Sequence, residues 1–137
     1  MEIDLTNSEL FKSFAEFEQE ELHIDLHTEF DCDAIDFSSS KKQLKLSFKP
    51  NKYCKCEVKS VEVVFDDCTI ERYCSKFDRT NTDSGTLDIM YRGRFEIGND
   101  ELGEISRAGL YYYYINFLPD VDFELFARSV KAKVNLI

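Results

Sequence analysis

The chain has no tryptophan, only two prolines, five glycines and two histidines in 137 residues. So little proline and glycine excludes a collagen-like or proline-rich extended chain. Two imidazoles also leave little material for acid–base or metal chemistry. The longest unbroken apolar run, Leu110 to Ile115, is six residues, against the roughly 18 to 20 that a membrane-crossing helix needs. The amino-terminal Met1-Glu2-Ile3-Asp4 has no basic flank and no apolar stretch, so the sequence predicts a cytoplasmic protein without a signal peptide or membrane association. The nucleophile-elbow, dinucleotide and P-loop patterns of glycine are missing as well. Basic residues are nearly absent from the first quarter of the chain, where twelve Asp or Glu stand against Lys12 alone between Met1 and Asp36.

Hydrophobic residues at 43% and aromatics at 14% are enough for one buried core, and the length predicts a single domain over residues 1–137. The net charge is −10, concentrated in that amino-terminal quarter, whereas Lys41 to Lys59 carries seven lysines and one acid, Glu57. An acidic field repels phosphate backbones and anionic lipid, so direct nucleic-acid binding is disfavoured and a basic protein is the partner that the charge suits.

Thr6-Asn7-Ser8-Glu9 has the form of a capping box, and Leu10, Phe11, Phe14 and Phe17 follow at helical spacing, which predicts an amphipathic helix from about 7 to 20. From Leu22 the period becomes two, with Leu22, Ile24, Leu26, Phe30 and Cys32 on one face and an acidic opposite face, so a strand is expected through Cys32. A slip near Asp33 marks a bulge, and Ser38 to Lys42 a turn. Alternation then predicts strands over Leu44–Lys49, Cys54–Phe65, Thr69–Phe77, Leu87–Ile97 and Leu110–Leu118. Gly93 interrupts one of these runs at a bulge or a position of close approach, and polar loops are expected over Asp78–Gly85 and Gly98–Gly109. After Pro119-Asp120 the pattern suits strands, with a helix beginning at Asp120 as the alternative. The fold class expected is mainly β: an antiparallel sandwich or open barrel with one amino-terminal helix.

Five cysteines, an odd number, argue against a disulfide framework. Cys54 and Cys56 are one residue apart; on a strand their side chains would share a face about 6.6 Å apart, and the spacing is not the two-to-four-residue knuckle of structural zinc. Buried free thiols are the expectation, and no cofactor or metal. His23 and His27 on one strand would lie about 13 Å apart, too far for a common ion. An enzyme would have to draw on His23, His27 and Cys32, which no motif singles out, so no enzymatic activity is expected. In the aromatic run, Tyr111, Tyr113, Ile115 and Phe117 share one strand face, while Tyr112 and Tyr114 share the other. If that second face is open, its tyrosines are of the kind that anchor interfaces.

Leu26-His27 is followed by an acidic strand ending in Ile35-Asp36-Phe37, a turn, and Leu44-Lys45-Leu46-Ser47-Phe48. The chain closes with an aromatic strand, a turn, and Phe126-Ala127-Arg128-Ser129-Val130. Over residues 22–137 this order resembles small bacterial all-β domains that open with a Leu-His-Asp motif, some of them immunity proteins of polymorphic toxin systems. Thr28 stands here where those domains carry the Asp. The resemblance implies a binding role and carries over no catalytic residue. It leaves the partner unnamed; the acidic charge points to a basic, nuclease-like toxin, which must itself hold phosphates. The residues expected to meet it are Glu16, Glu18, Glu20, Glu21, Asp25, Glu29, Asp31, Asp33 and Asp36 for steering, with Tyr112 and Tyr114 as anchors. The alternative function is a sandwich or barrel whose interior holds a small apolar ligand.

Overall fold

Alternating apolar and polar residues place one side of each strand in a core. The computed structural model describes residues 1–75, 85–95 and 102–137, and among them the strands form antiparallel sheets without any helix. In chain order they are β1 (Glu2–Asp4), β2 (Glu16–Gln19), β3 (Leu22–Asp25), β4 (Phe30–Ser38), β5 (Gln43–Pro50), β6 (Val58–Asp66) and β7 (Thr69–Ser75). There follow β8 (Thr86–Arg92), β9 (Arg94–Phe95), β10 (Leu102–Gly103), β11 (Ser106–Arg107), β12 (Leu110–Leu118), β13 (Val121–Ala127) and β14 (Ser129–Leu136). The expected loop over Asp78–Gly85 and the region from Ile97 into the next loop lie mostly outside the described residues.

The first sheet has the order β1-β14-β6-β5-β4. The second centres on β12, which pairs with β13 along one edge and with β8 and then β11 along the other, while β7 lies outside β13. Leu44, Leu46, Phe48, Val61, Val63 and Phe65 from the first sheet join Tyr113, Ile115, Phe117 and Leu125 from the second in one core. The Phe65 and Tyr113 rings meet edge to face at 5.4 Å, joining the layers directly. The carboxy-terminal segment consists of strands β13 and β14, and the expected bulge falls between Cys32 and Ala34.

The amino-terminal helix expected over 7–20 does not form. Its backbone is taken up elsewhere: the N–H of Phe11 donates to Arg92 O at 2.8 Å and that of Phe14 to Met90 O at 2.7 Å, so the segment runs along the free edge of β8. The Thr6 hydroxyl, which would have capped the helix, instead accepts the N–H of Val130 at 3.1 Å. Phe11 and Glu20 have φ of 62° and 56°, in the left-handed region that no α-helix contains. The period of two begins at Ala15, seven residues earlier than expected, with Ala15 and Phe17 buried and Glu16 and Glu18 exposed.

Two strands also differ from expectation. The run from Leu22 to Cys32 breaks where the Asp25 carboxylate accepts the N–H groups of His27 and Thr28, both at 3.1 Å, and this turn separates β3 from β4. Cys54 and Cys56 lie in the loop between β5 and β6, because Asn51 draws the chain into a turn: its side-chain oxygen accepts the N–H of Tyr53 at 2.9 Å.

Gly93 is the close-approach position that the interrupted strand predicts. Its φ is +113°, and an added Cβ would lie 3.0 Å from the Phe11 ring. Gly93→Ala should therefore destabilise the fold by about 1–3 kcal/mol, read as a lower denaturant midpoint at unchanged slope; an unaltered midpoint would refute the strained geometry.

Candidate functional site

Strand pairing divides the acidic residues into two groups. On the outer face of the first sheet, Asp31 lies opposite Lys49 and Asp36 opposite Lys45. On its other edge Glu2 faces Lys133 and Asp4 faces Lys131. Opposite charges across a ladder compensate one another, so Asp31 and Asp36 belong to a mixed, solvated face. Asp33 sits at the bulge, exposed. Glu29 turns toward the β5–β6 loop, where its Oε2 accepts the N–H of Lys55 at 3.3 Å.

The β2–β3 hairpin is different. Between Glu16 and Asp25 there is no lysine or arginine. Phe17 pairs with Ile24 on the buried side, and Ile24 is fully enclosed. Alternation therefore puts Glu16, Glu18, His23 and Asp25 on the outer side. Glu16 faces Asp25 directly across the ladder and Glu18 faces His23, while Glu20 and Glu21 form the tip. Like charges directly opposite cost stability. The internal relief is His23, whose Nε2 lies 2.6 Å from Glu16 Oε1. Of the nine acids expected to steer a partner, the fold thus gathers Glu16, Glu18, Glu20, Glu21 and Asp25 on one hairpin and disperses the remaining four.

An aromatic cleft of about 300 Å³ lies on the outer face of the second sheet, bordered by Phe11, Tyr91, Arg94, Tyr112, Tyr114 and Glu124. Its register follows from the ladders, since Tyr114 pairs with Tyr91 on one side and Glu124 on the other. The Tyr91 and Tyr114 rings are 5.3 Å apart. Phe11 borders this cleft, while Lys12 and Ser13 border a second cleft with Glu16, Glu18 and His23. Sequence reasoning placed Tyr112 and Tyr114 on one face, as found. It missed Phe11 and Tyr91, because the expected helix put Phe11 elsewhere.

Tyr112, expected as an exposed anchor, is buried. Its hydroxyl donates to Glu124 Oε1 at 2.6 Å and the Arg94 guanidinium lies 5.2 Å above its ring. Tyr114 is half-buried and keeps an accessible edge. Arg92 and Arg94 are engaged within the molecule, Arg92 donating to Thr6 O at 3.1 Å and Arg94 lying 3.4 Å from Glu71.

His23, His27 and Cys32 do not converge. His27 Nδ1 lies 2.6 Å from Leu87 O, and Cys32 packs beside the core, where burial pushes its thiol up to about 11. A thiol so held is a poor nucleophile at neutral pH. Cys68 is buried and pushed up to about 12 for the same reason. The interior that the ligand-binding alternative requires is filled by Phe30, Phe48, Phe65, Tyr113 and Phe117.

Burial holds the Tyr112, Tyr113, Tyr91 and Tyr114 hydroxyls above the ordinary tyrosine range, with Glu124 adding to the effect at Tyr112. A folded-state pKa raised above the unfolded one gives stability that is complete below about pH 10 and is lost as the pH rises further. Stability should thus fall above about pH 10, and less steeply in Tyr112→Phe and Tyr113→Phe, as followed by denaturant unfolding at stepped pH; equal slopes in all three proteins would contradict it. Comparison of the chain with protein-family models, with curated proteins and with solved structures returned no match.

Proposed function

We propose that the chain is a non-enzymatic binding domain for a basic protein, which it engages through the β2–β3 hairpin. The observation that carries this reading is the placement of Glu16 opposite Asp25, with Glu18, Glu20 and Glu21 beside them and no lysine or arginine in the hairpin. Such a hairpin carries an internal repulsion that a cationic surface relieves on contact. The aromatic cleft on the second sheet supplies further contact area, with the open edges of Tyr114 and Tyr91 as anchors. The acidic charge, taken with the resemblance to immunity domains, makes a cationic, nuclease-like toxin the partner we propose. A nuclease holds phosphates with clustered Lys and Arg, and a hairpin of carboxylates is steered to the same groove.

The cleft also supports a second reading, a surface site for a small aromatic or cationic ligand between Tyr91, Tyr114 and Glu124. A rise in melting temperature with fractionated metabolites, absent in Tyr114→Ala, would favour it over the protein partner.

The leading reading predicts that immobilised protein captures one basic protein stoichiometrically from a lysate of the cells that make it, and that capture weakens with salt. Charge reversal of Glu18, Glu20 and Glu21 should slow association about tenfold or more at low salt, whereas Asp31→Asn with Asp36→Asn should change it little because those carboxylates already face lysines. Association that is indifferent to salt and to hairpin reversal would overturn the proposal.

A further inference from the structure

The sequence predicts that Cys54 and Cys56 are two thiols on a strand. Their place in the fold is the Asn51–Glu57 loop, and there the two Sγ atoms stand 3.0 Å apart. That is inside the contact distance of unbonded sulfurs and well beyond the roughly 2.05 Å of a disulfide. Two thiolates on one zinc, each about 2.3 Å from the metal, stand roughly 3.8 Å apart in tetrahedral geometry. A small opening of the pair reaches that separation.

The decisive feature is a third donor. A Glu29 carboxylate oxygen and the two sulfurs all lie within 4.8 Å of one another. A disulfide has no use for a carboxylate, and an anion beside two thiols disfavours the thiolate that disulfide chemistry requires. A cation reverses the sign of every one of these interactions. Nor is the arrangement a chance meeting of mobile side chains. The β3–β4 turn and the β5–β6 loop are tied by Asn51, whose N–H donates to Glu29 O and whose side-chain amide donates to Thr28 O, both at 3.0 Å. The N–H of Cys54 donates to Asn51 O at 3.1 Å, and that of Lys55 to Glu29 Oε2 at 3.3 Å. All three donors are partly buried, so each is shielded yet reachable.

We infer that Glu29, Cys54 and Cys56 form a binding site for a zinc-class divalent cation, with two thiolates and one carboxylate as protein ligands and the fourth position left to water. Thiolate donors select zinc and its soft relatives over magnesium or calcium, and the closed-shell ion accepts a mixed sulfur–oxygen set without a geometric penalty. Binding releases the thiol protons to solvent and involves no electron transfer. The site lies where the β3–β4 turn meets the β5–β6 loop and uses none of the hairpin's outward carboxylates, so it stands or falls independently of the partner proposed above.

Cobalt(II), the spectroscopic substitute for zinc, provides the test on the full chain, reduced and freed of metal. One equivalent should produce thiolate-to-cobalt charge-transfer absorption together with tetrahedral ligand-field bands, both removed by one equivalent of zinc. Cys54→Ser combined with Cys56→Ser should abolish the charge-transfer band, whereas Cys32→Ser with Cys74→Ser should keep it. Glu29→Gln, which retains an acceptor for Lys55 N–H, should keep the band and weaken binding by about tenfold or more. Should the double serine variant misfold, the wild-type chain decides alone: zinc should protect Cys54 and Cys56 from alkylation, with Cys32 and Cys74 unprotected, as mapped by peptide mass. Absence of a charge-transfer band in the wild-type protein, its survival in a folded Cys54/Cys56 double variant, or equal alkylation with and without zinc would overturn the inference.

Discussion

Thr6 is the junction on which the two sheets depend. Its hydroxyl accepts Val130 N–H from the first sheet, and its carbonyl accepts the Tyr113 hydroxyl at 3.0 Å and Arg92 Nη1 from the second. The Asp4 carboxylate fixes it from the other side, accepting its N–H at 2.9 Å, and those bonds hold the Asp4 carboxyl below its usual range. Among the described residues Thr6 is the buried polar one in an otherwise apolar core, and its backbone and hydroxyl groups are all engaged. Buried polar groups that are fully paired define a unique geometry, and any one left unpaired would cost a desolvation penalty without return. From Thr6 the chain runs on along β8, and this course delivers Phe11 to the aromatic cleft.

The acidic composition acquires meaning only through pairing. Counted along the sequence, the acids before Phe37 make one field. In the fold, β5 supplies lysines to β4, and β14 supplies them to β1, so the sheet's outer face is a lattice of opposite charges. The hairpin receives no such partner. A carboxylate's neighbours across the ladder, on the next strand in sequence or the length of the chain away, decide whether it is spent within the molecule or left for something outside.

The strands were legible because their information is local. Leu44, Leu46 and Phe48 alternate with Lys45 and Ser47, the side of the sheet that each takes is fixed by a period of two, and β5, β12 and β14 follow that rule, whereas β8 breaks it by burying both Leu87 and Met90. The amino-terminal segment was not legible. Thr6 to Glu9 satisfies the local grammar of a helix start, but the hydroxyl and the backbone donors that a helix would use are claimed by Val130, Met90 and Arg92, more than seventy residues away. The cleft was half-readable for the same reason. Tyr112 and Tyr114 share a face by periodicity, whereas Phe11 and Tyr91 join them through tertiary pairing. The distance between the Cys54 and Cys56 sulfurs was misjudged because an asparagine turn replaced the expected strand.

The bond between Thr6 and Val130 spans 124 residues, and β1 finds its ladder only on β14. During synthesis the β5–β6 pairing is available early, since its two strands are near neighbours in sequence, but the knot around Thr6 has no second half until Val130 has been made. Loop-closure entropy opposes such distant contacts until shorter ones have reduced the effective span. The nascent chain therefore carries its hairpin of carboxylates and its unmatched amino-terminal aromatics through most of translation before the element that fixes them exists. The mutual repulsion of Glu16, Glu18, Glu20, Glu21 and Asp25, which burdens the folded hairpin, serves that waiting segment as protection against premature association with its neighbours on the same message.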